Sequence, residues 1–223
     1  MIMKKTVITL FLFLFILSCE KIDDNAIVAV DFNSKIQTLK YKEVRPSVGV
    51  SISDFQVCLS NLDFNKNLTN LEWKDIELKG PYILDLLDYK KTLKSNIGFI
   101  KMKKGIYKSI GMYFFFNESN PLQKSIYLSG TIDDVPFEFW HNTTEKFKII
   151  NNSGVLIDCQ PKDIVISFDI DKFLNSVNNI NLNINLDNNN DGLIKINPDD
   201  DDGNSYIADL IKENIISSLT FSN

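Results

Sequence analysis

The chain has 223 residues, 44% of them hydrophobic and 11% aromatic, with 24 basic against 29 acidic side chains and one histidine. That apolar content supports a packed core and excludes a disordered polyelectrolyte. A formal net charge of -5 argues against sequence-independent nucleic-acid binding, which relies on Lys and Arg displacing counterions from phosphates.

The N-terminus reads first. Lys4 and Lys5 precede an apolar run from Val7 to Leu17, then Ser18 and Cys19. Two ammonium groups, an apolar stretch too short for a stable span and a small residue before a thiol make a bacterial lipoprotein export signal over residues 1–18. Cys19 is then the lipidated first residue of the mature protein, held by acyl chains whose buried methylenes contribute ~0.8 kcal/mol each. Glu20 after the cysteine points to the outer membrane, and Asp23 and Asp24 resemble signals for its outer face; the periplasmic or external side stays open. Loss of Lys4 and Lys5 takes the formal charge from -5 to -7, so the lipid rather than a basic surface is expected to hold the protein at the membrane.

Residues 19–25 form a short tether, and a fold is expected over 26–178. Val28, Val30 and Phe32 share one face of a strand, as do Val48, Val50 and Ile52. The second run continues through Phe55, Val57 and Leu59 after a phase shift at Asp54, which a β-bulge produces. Further strands are expected at Trp73–Leu78, Tyr82–Leu87, Ile97–Met102, Tyr107–Phe116, Ser125–Ile132, Val135–His141, Lys146–Ile150 and Ile164–Ile170. Asp133-Asp134 and Asn151-Asn152-Ser153-Gly154 read as turns, Gly105 as a tight entry into a strand, and Asp171–Leu174 as a short helix capped by Asp169 or Asp171. Many short strands joined by loops describe a mainly β protein, an antiparallel β-sandwich.

Residues 179–223 differ in character. Ile180–Leu186 alternates strictly and predicts a strand with an Asn-rich face. Ile207, Leu210, Ile211, Ile215 and Leu219 predict a C-terminal amphipathic helix, capped by Asn204 or Ser205 and packed on its own domain.

The spacing Asp187-x-Asn189-x-Asp191-Gly192-Leu193 sets oxygen ligands at alternate positions and a glycine at the sharp turn, the first half of a calcium loop, with Leu193 giving its carbonyl. Pro198 stands where a helix-loop-helix site carries its closing glutamate, so Asp199, Asp200, Asp201 or Asp202 must fold back instead. The competing and preferred reading is a hairpin joining Leu182–Leu186 to Ile194–Ile196, followed by a solvated acidic loop. Calcium is the one cofactor with a candidate site. Cys58 and Cys159 either form a disulfide, contributing ~3–5 kcal/mol, or stay as separate buried thiols. Trp73 and Trp140 are candidate ligand-contact aromatics among runs that otherwise read as core. His141 has no Gly-x-Ser-x-Gly elbow to serve, and no catalytic constellation stands out.

Val50–Phe55, Tyr82–Asp88 with its Asp-Leu-Leu-Asp ending, Lys104-Gly105-Ile106-Tyr107 and Ile164–Asp169 together resemble an uncharacterised family of bacterial lipoproteins with a transthyretin-like or immunoglobulin-like β-sandwich. The resemblance covers Val28 to Phe173, implies the same fold, and carries no catalytic residues; the acidic C-terminal extension departs from it. The expectation is a non-enzymatic, lipid-anchored envelope module that binds a protein or glycan. The alternatives are an assembly subunit docking through its C-terminal helix and, more remotely, an envelope hydrolase.

Overall fold

A computed structural model describes residues 24–35, 49–66, 76–88, 91–92, 94–116, 123–158, 160–175, 182–199 and 201–223. Among the described residues, alternation of apolar and polar side chains drives ten strands ahead of a short helix: β1 Asn25–Lys35, β2 Val50–Asn65, β3 Ile76–Asp88, β4 Lys91–Thr92, β5 Lys94–Lys103, β6 Gly105–Phe114, β7 Ile126–Ile132, β8 Val135–His141, β9 Lys146–Ile157 and β10 Lys162–Asp169. Then come α1 Ile170–Asn175, a 3-10 turn at Ile184–Leu186, β11 Ile194–Ile196, α2 Ser205–Glu213, α3 Ile215–Ser218 and β12 Leu219–Ser222.

The strands form two sheets, the smaller in the order β12-β10-β1-β5 and the larger running β11-β8-β7-β2-β3-β4. Strand β2 is the spine of the larger sheet. One edge pairs with β3, while the other pairs with β7 over Val50–Val57 and with β6 over Leu59–Asn65, which carries β9 beyond it. The register shifts between Ile52 and Asp54, the site of the expected bulge. The fold is a mainly β, sandwich-like arrangement. Its pairing is mostly antiparallel, but β1 lies parallel to β10 and β11 parallel to β8.

Both inner faces feed one core, in which Val28, Val30 and Phe32 of β1 meet Phe55, Val57 and Leu59 of β2 and Ile164, Ile166 and Phe168 of β10. Phe55 and Phe168 link the two sheets at 4.9 Å between ring centroids, and Phe173 of α1 continues the chain to Phe168 at 5.1 Å and Phe139 of β8 at 5.4 Å, all edge-on. Edge-to-face rings bring positive rim to negative face, so these contacts add to the burial they share.

Several local signals behave as their chemistry demands. Asp133 and Asp134 turn β7 into β8 with φ of 48° and 68°, the left-handed geometry that a two-residue hairpin requires. Gly105, at φ 145°, turns β5 of one sheet directly into β6 of the other. Asp169 caps α1 by accepting from Lys172 N at 3.0 Å.

Four expectations fail, three of them because pairing elsewhere outweighs a local signal. Asn151–Gly154 does not end a strand; β9 runs through it, with Asn151 Oδ1 accepting from Gly154 N at 3.1 Å inside a wide bulge between Ile150 and Val155. Within the expected strand Ile180–Leu186, the described part is irregular and then a 3-10 turn. Ile194–Ile196 therefore has no hairpin partner there and instead joins the edge of β8 in parallel. Finally, the C-terminal helix breaks at Asn214, whose Nδ2 donates to Phe173 O at 3.0 Å, and resumes as α3 only to Ser218. Leu219 and Phe221, freed from the helix, pair with β10 and complete the smaller sheet. Residues 179–223 thus contribute a strand to each sheet, and the buried face of α2, Ala208 and Ile211, packs on its own domain.

Candidate functional site

The C-terminal loop is built on polar side chains that take backbone N–H groups, the Asx habit of Asn and Asp. Asp187 Oδ1 accepts from Asp191 N at 3.1 Å and Oδ2 from Gly192 N at 3.0 Å; Asn189 Oδ1 accepts from Asp191 N at 2.8 Å; Asp191 Oδ1 accepts from Leu193 N at 2.9 Å. Lys195 reaches back to Asp191 Oδ2 at 3.2 Å. The Leu193 N–H bond, with Lys195 and Asn189 adding to it, holds the Asp191 carboxyl below its usual range, and Asp191 raises Lys195 in return.

Asn204 stands at the start of α2 but makes no side-chain cap. Its Nδ2 instead donates to Leu186 O at 2.7 Å and Lys195 O at 2.9 Å, tying together the two ends of the loop. Asp202 closes the same junction: its carbonyl accepts from Asn188 Nδ2, and its Oδ2 accepts from Lys195 N at 2.6 Å. The four expected ligand residues, Asp187, Asn189, Asp191 and Leu193, lie in one loop; of the candidate closing aspartates, Asp202 is hydrogen-bonded to its far end, and Asp200 lies outside the described residues. Among the described residues no three His, Cys, Asp or Glu side chains form a metal-holding group.

The other expected positions divide between buried and undescribed. Cys19, Trp73 and Cys159 lie outside the described residues. Cys58 is buried in β2, where its N–H donates to Ser125 O at 2.9 Å and its carbonyl accepts from Phe115 N at 3.1 Å. Trp140 is 7% exposed, with the Lys124 ammonium 3.1 Å from its ring centroid, so its ring is not an open stacking platform. Burial in this cluster lowers the Lys124 pKa, against the pull of Asp199 and Glu138.

His141 ends β8 facing α2, with Nε2 3.2 Å from Asp209 Oδ1. Desolvation depresses its pKa, and the Asp209 hydrogen bond only partly offsets this. Ser125 Oγ donates to the His141 carbonyl at 2.6 Å, not to its ring. The Asp209 contact therefore pins β8 to the helix.

A cluster missed in the sequence lies on the outer face of the larger sheet. Asp63 of β2 receives Tyr113 OH at 2.9 Å and Lys146 Nζ at 3.0 Å, and Lys146 also donates to Tyr113 OH at 2.5 Å. Burial opposes the lysine's charge, but its bonds to Tyr113 and Asp63 and the Asp63 charge outweigh this and raise its pKa. A side chain on Gly111 would put its Cβ 2.6 Å from Lys146 Cε, so the glycine leaves the path along which the lysine crosses β6. The available signal was the outward phase of Asn61, Asp63 and Tyr113 on strands that pair in register.

No family model, curated protein or solved structure matches the chain significantly. The fold and the chemistry of its residues are what bear on function.

Proposed function

We propose that the protein is a non-enzymatic, lipid-anchored binding module of the cell envelope, tethered through Cys19 and holding a β-sandwich close to the membrane for a protein or glycan partner. One observation carries this reading, the distribution of charge around the point where the chain enters the fold. At most six residue steps separate Cys19 from Asn25, a reach of about 20 Å. Asn25 pairs with Lys103, and Asp24 O accepts from Lys104 N at 2.8 Å, so the tether arrives at the β5–β6 turn. Lys66, whose Nζ donates to Lys104 O at 3.0 Å, and Lys101 and Lys103 gather at the same end of a chain that is acidic overall.

Ile27 and Phe99, each 70% exposed, share the outer face of the adjoining sheet with Lys101. Lysines interleaved with exposed apolar side chains suit a headgroup surface, where an anionic leaflet attracts the ammonium groups. The basic end assists the lipid here, although composition alone left the lipid to act by itself. The resemblance to a lipoprotein family belongs with this proposal. Against the assembly-subunit alternative, the apolar face of α2 is already spent on its own domain.

The test is fractionation of cells expressing the full chain or Cys19→Ser, with labelled palmitate. Label in the membrane-bound wild type and release of the variant are expected. An unlabelled or soluble wild type would overturn the anchor.

A further inference from the structure

We propose that Asp187, Asn189, Asp191, the Leu193 carbonyl and Asp202 bind calcium, with Asp202 taking the role of the glutamate that closes a helix-loop-helix calcium loop. The site is independent of the membrane anchor. The loop provides the first half of the ligand set in the correct state. Asp187 Oδ1 and Oδ2, Asn189 Oδ1 and Asp191 Oδ1 each accept one backbone N–H, which orients them and leaves each a further lone pair for an ion. Oxygen donors of this kind, two charged and two neutral, suit a hard cation.

The second, separate observation is Asp202. Three carboxylates are buried among the described residues: Asp31 at 4%, Asp63 at 2% and Asp202 at 2% exposure. Lys94 sits 2.6 Å from Asp31, and Lys146 sits 3.0 Å from Asp63. Among the described residues no ammonium bonds Asp202, although its charge helps to raise Lys195; one oxygen takes the Lys195 N–H, and Oδ1 is buried without a hydrogen-bond partner. A buried carboxylate oxygen left unpaired is costly and calls for a partner. Asp202 sits against the same loop: its backbone carbonyl accepts from Asn188 Nδ2 and its Oδ2 from Lys195 N, the second and ninth positions counted from Asp187. A divalent cation among Asp187, Asn189, Asp191 and Leu193 would satisfy it.

Because the carboxylates are not gathered into a three-acid cluster in this structure, the ion must draw them together on binding. Affinity should then fall in the weak range of extracellular modules, about 0.1–1 mM. Magnesium, which demands small octahedral cages and keeps its water, should bind far less well.

The experiment is calorimetric titration of the folded chain with calcium chloride and with magnesium chloride, with thermal unfolding in parallel. Wild type should show calcium heat and a higher melting midpoint that a chelator reverses, with magnesium much weaker. Asp187→Asn, in an exposed turn, should abolish both signals. Asp202→Asn, which keeps shape and an acceptor for Lys195 N, should weaken binding at least about tenfold through the lost ligand charge. Asp133→Asn, in the β7–β8 turn, should leave calcium binding unchanged. No heat and no midpoint shift in wild type would overturn the site; wild-type affinity in a folded Asp202→Asn chain would overturn the role of Asp202.

Discussion

Asp63 and Asp202 are buried to the same degree, yet their surroundings differ in kind. Asp63 lies on the face of a continuous sheet, where neighbouring strands in register bring a lysine and a tyrosine to it. Asp202 lies in a turn-rich segment, where its carboxylate takes the backbone N–H of Lys195 and its backbone carbonyl takes the Asn188 amide. A sheet delivers long side chains from adjacent strands at fixed spacing, so it can build a compensating charge for a buried carboxylate. A loop that folds on its own carboxylates offers mainly N–H groups.

The largest expected effect tests the first half of that contrast. Lys146→Met leaves Asp63 buried without its cation and should cost about 2–3 kcal/mol in urea unfolding, below the range for a fully buried pair because the lysine is partly exposed. A loss under about 0.5 kcal/mol, the scale of an ordinary surface substitution, would mean that Tyr113 alone suffices. Asp63→Asn combined with Lys146→Met should cost less than the sum of the two single changes, since neither charge is then stranded.

Next in size is the response of Asp202→Asn with chelator present. If Asp202 carries an uncompensated charge, removing that charge should leave the melting midpoint level or raise it, by up to about 1–3 kcal/mol of relieved burial. A clear drop would show that the carboxylate is already satisfied inside the protein and would erase the contrast with Asp63.

Lys94→Met should lower the midpoint less than Lys146→Met does. Lys94 is more than half exposed although its partner Asp31 is buried, and Asn96 Nδ2 still donates to Asp31 at 2.9 Å. Equal losses for the two lysines would show that solvent exposure does not separate these pairs.

The smallest effect concerns the seam between β8 and α2. His141 is depressed in the folded state, so unfolding takes up a proton. The stability this represents is present above the unfolded value near pH 6.5 and is lost as pH falls through it toward the lower folded value. Midpoints measured from pH 7.5 to 5 should decline, and His141→Gln should flatten that decline; an unchanged slope would place the acid sensitivity elsewhere.

The sandwich was legible because half-buried strands reveal themselves by period-two alternation, and β1, β2, β8 and β10 lie close to where that pattern sets them. Legibility failed where a local signal competed with long-range pairing. The Asn151–Gly154 turn signal was absorbed as a bulge because β9 had β6 to pair with on both sides of it. The helix expected through Leu219 was cut short because the β10 edge could take Leu219 and Phe221 as a strand. The calcium-type spacing was visible from Asp187 to Leu193, whereas Asp202 could not be singled out from its acidic neighbours until the turn placed it against Asn188 and Lys195. Lys146 was legible only as the start of a strand, since nothing in a single strand tells which of its neighbours will bring an acid.

What the amino-acid sequence determined by itself is local: the alternation that makes strands, the Asx-rich turn and the acidic balance. Each follows from residues a few positions apart. What only the tertiary structure decided is partnership: that β1 runs parallel to β10, that the C-terminal segment adds a strand to each sheet, and that Asp63 receives a lysine ammonium while Asp202 takes a backbone N–H. Those outcomes depend on which distant backbone edges and side chains meet once a single core closes, and burial then sets how much each meeting is worth.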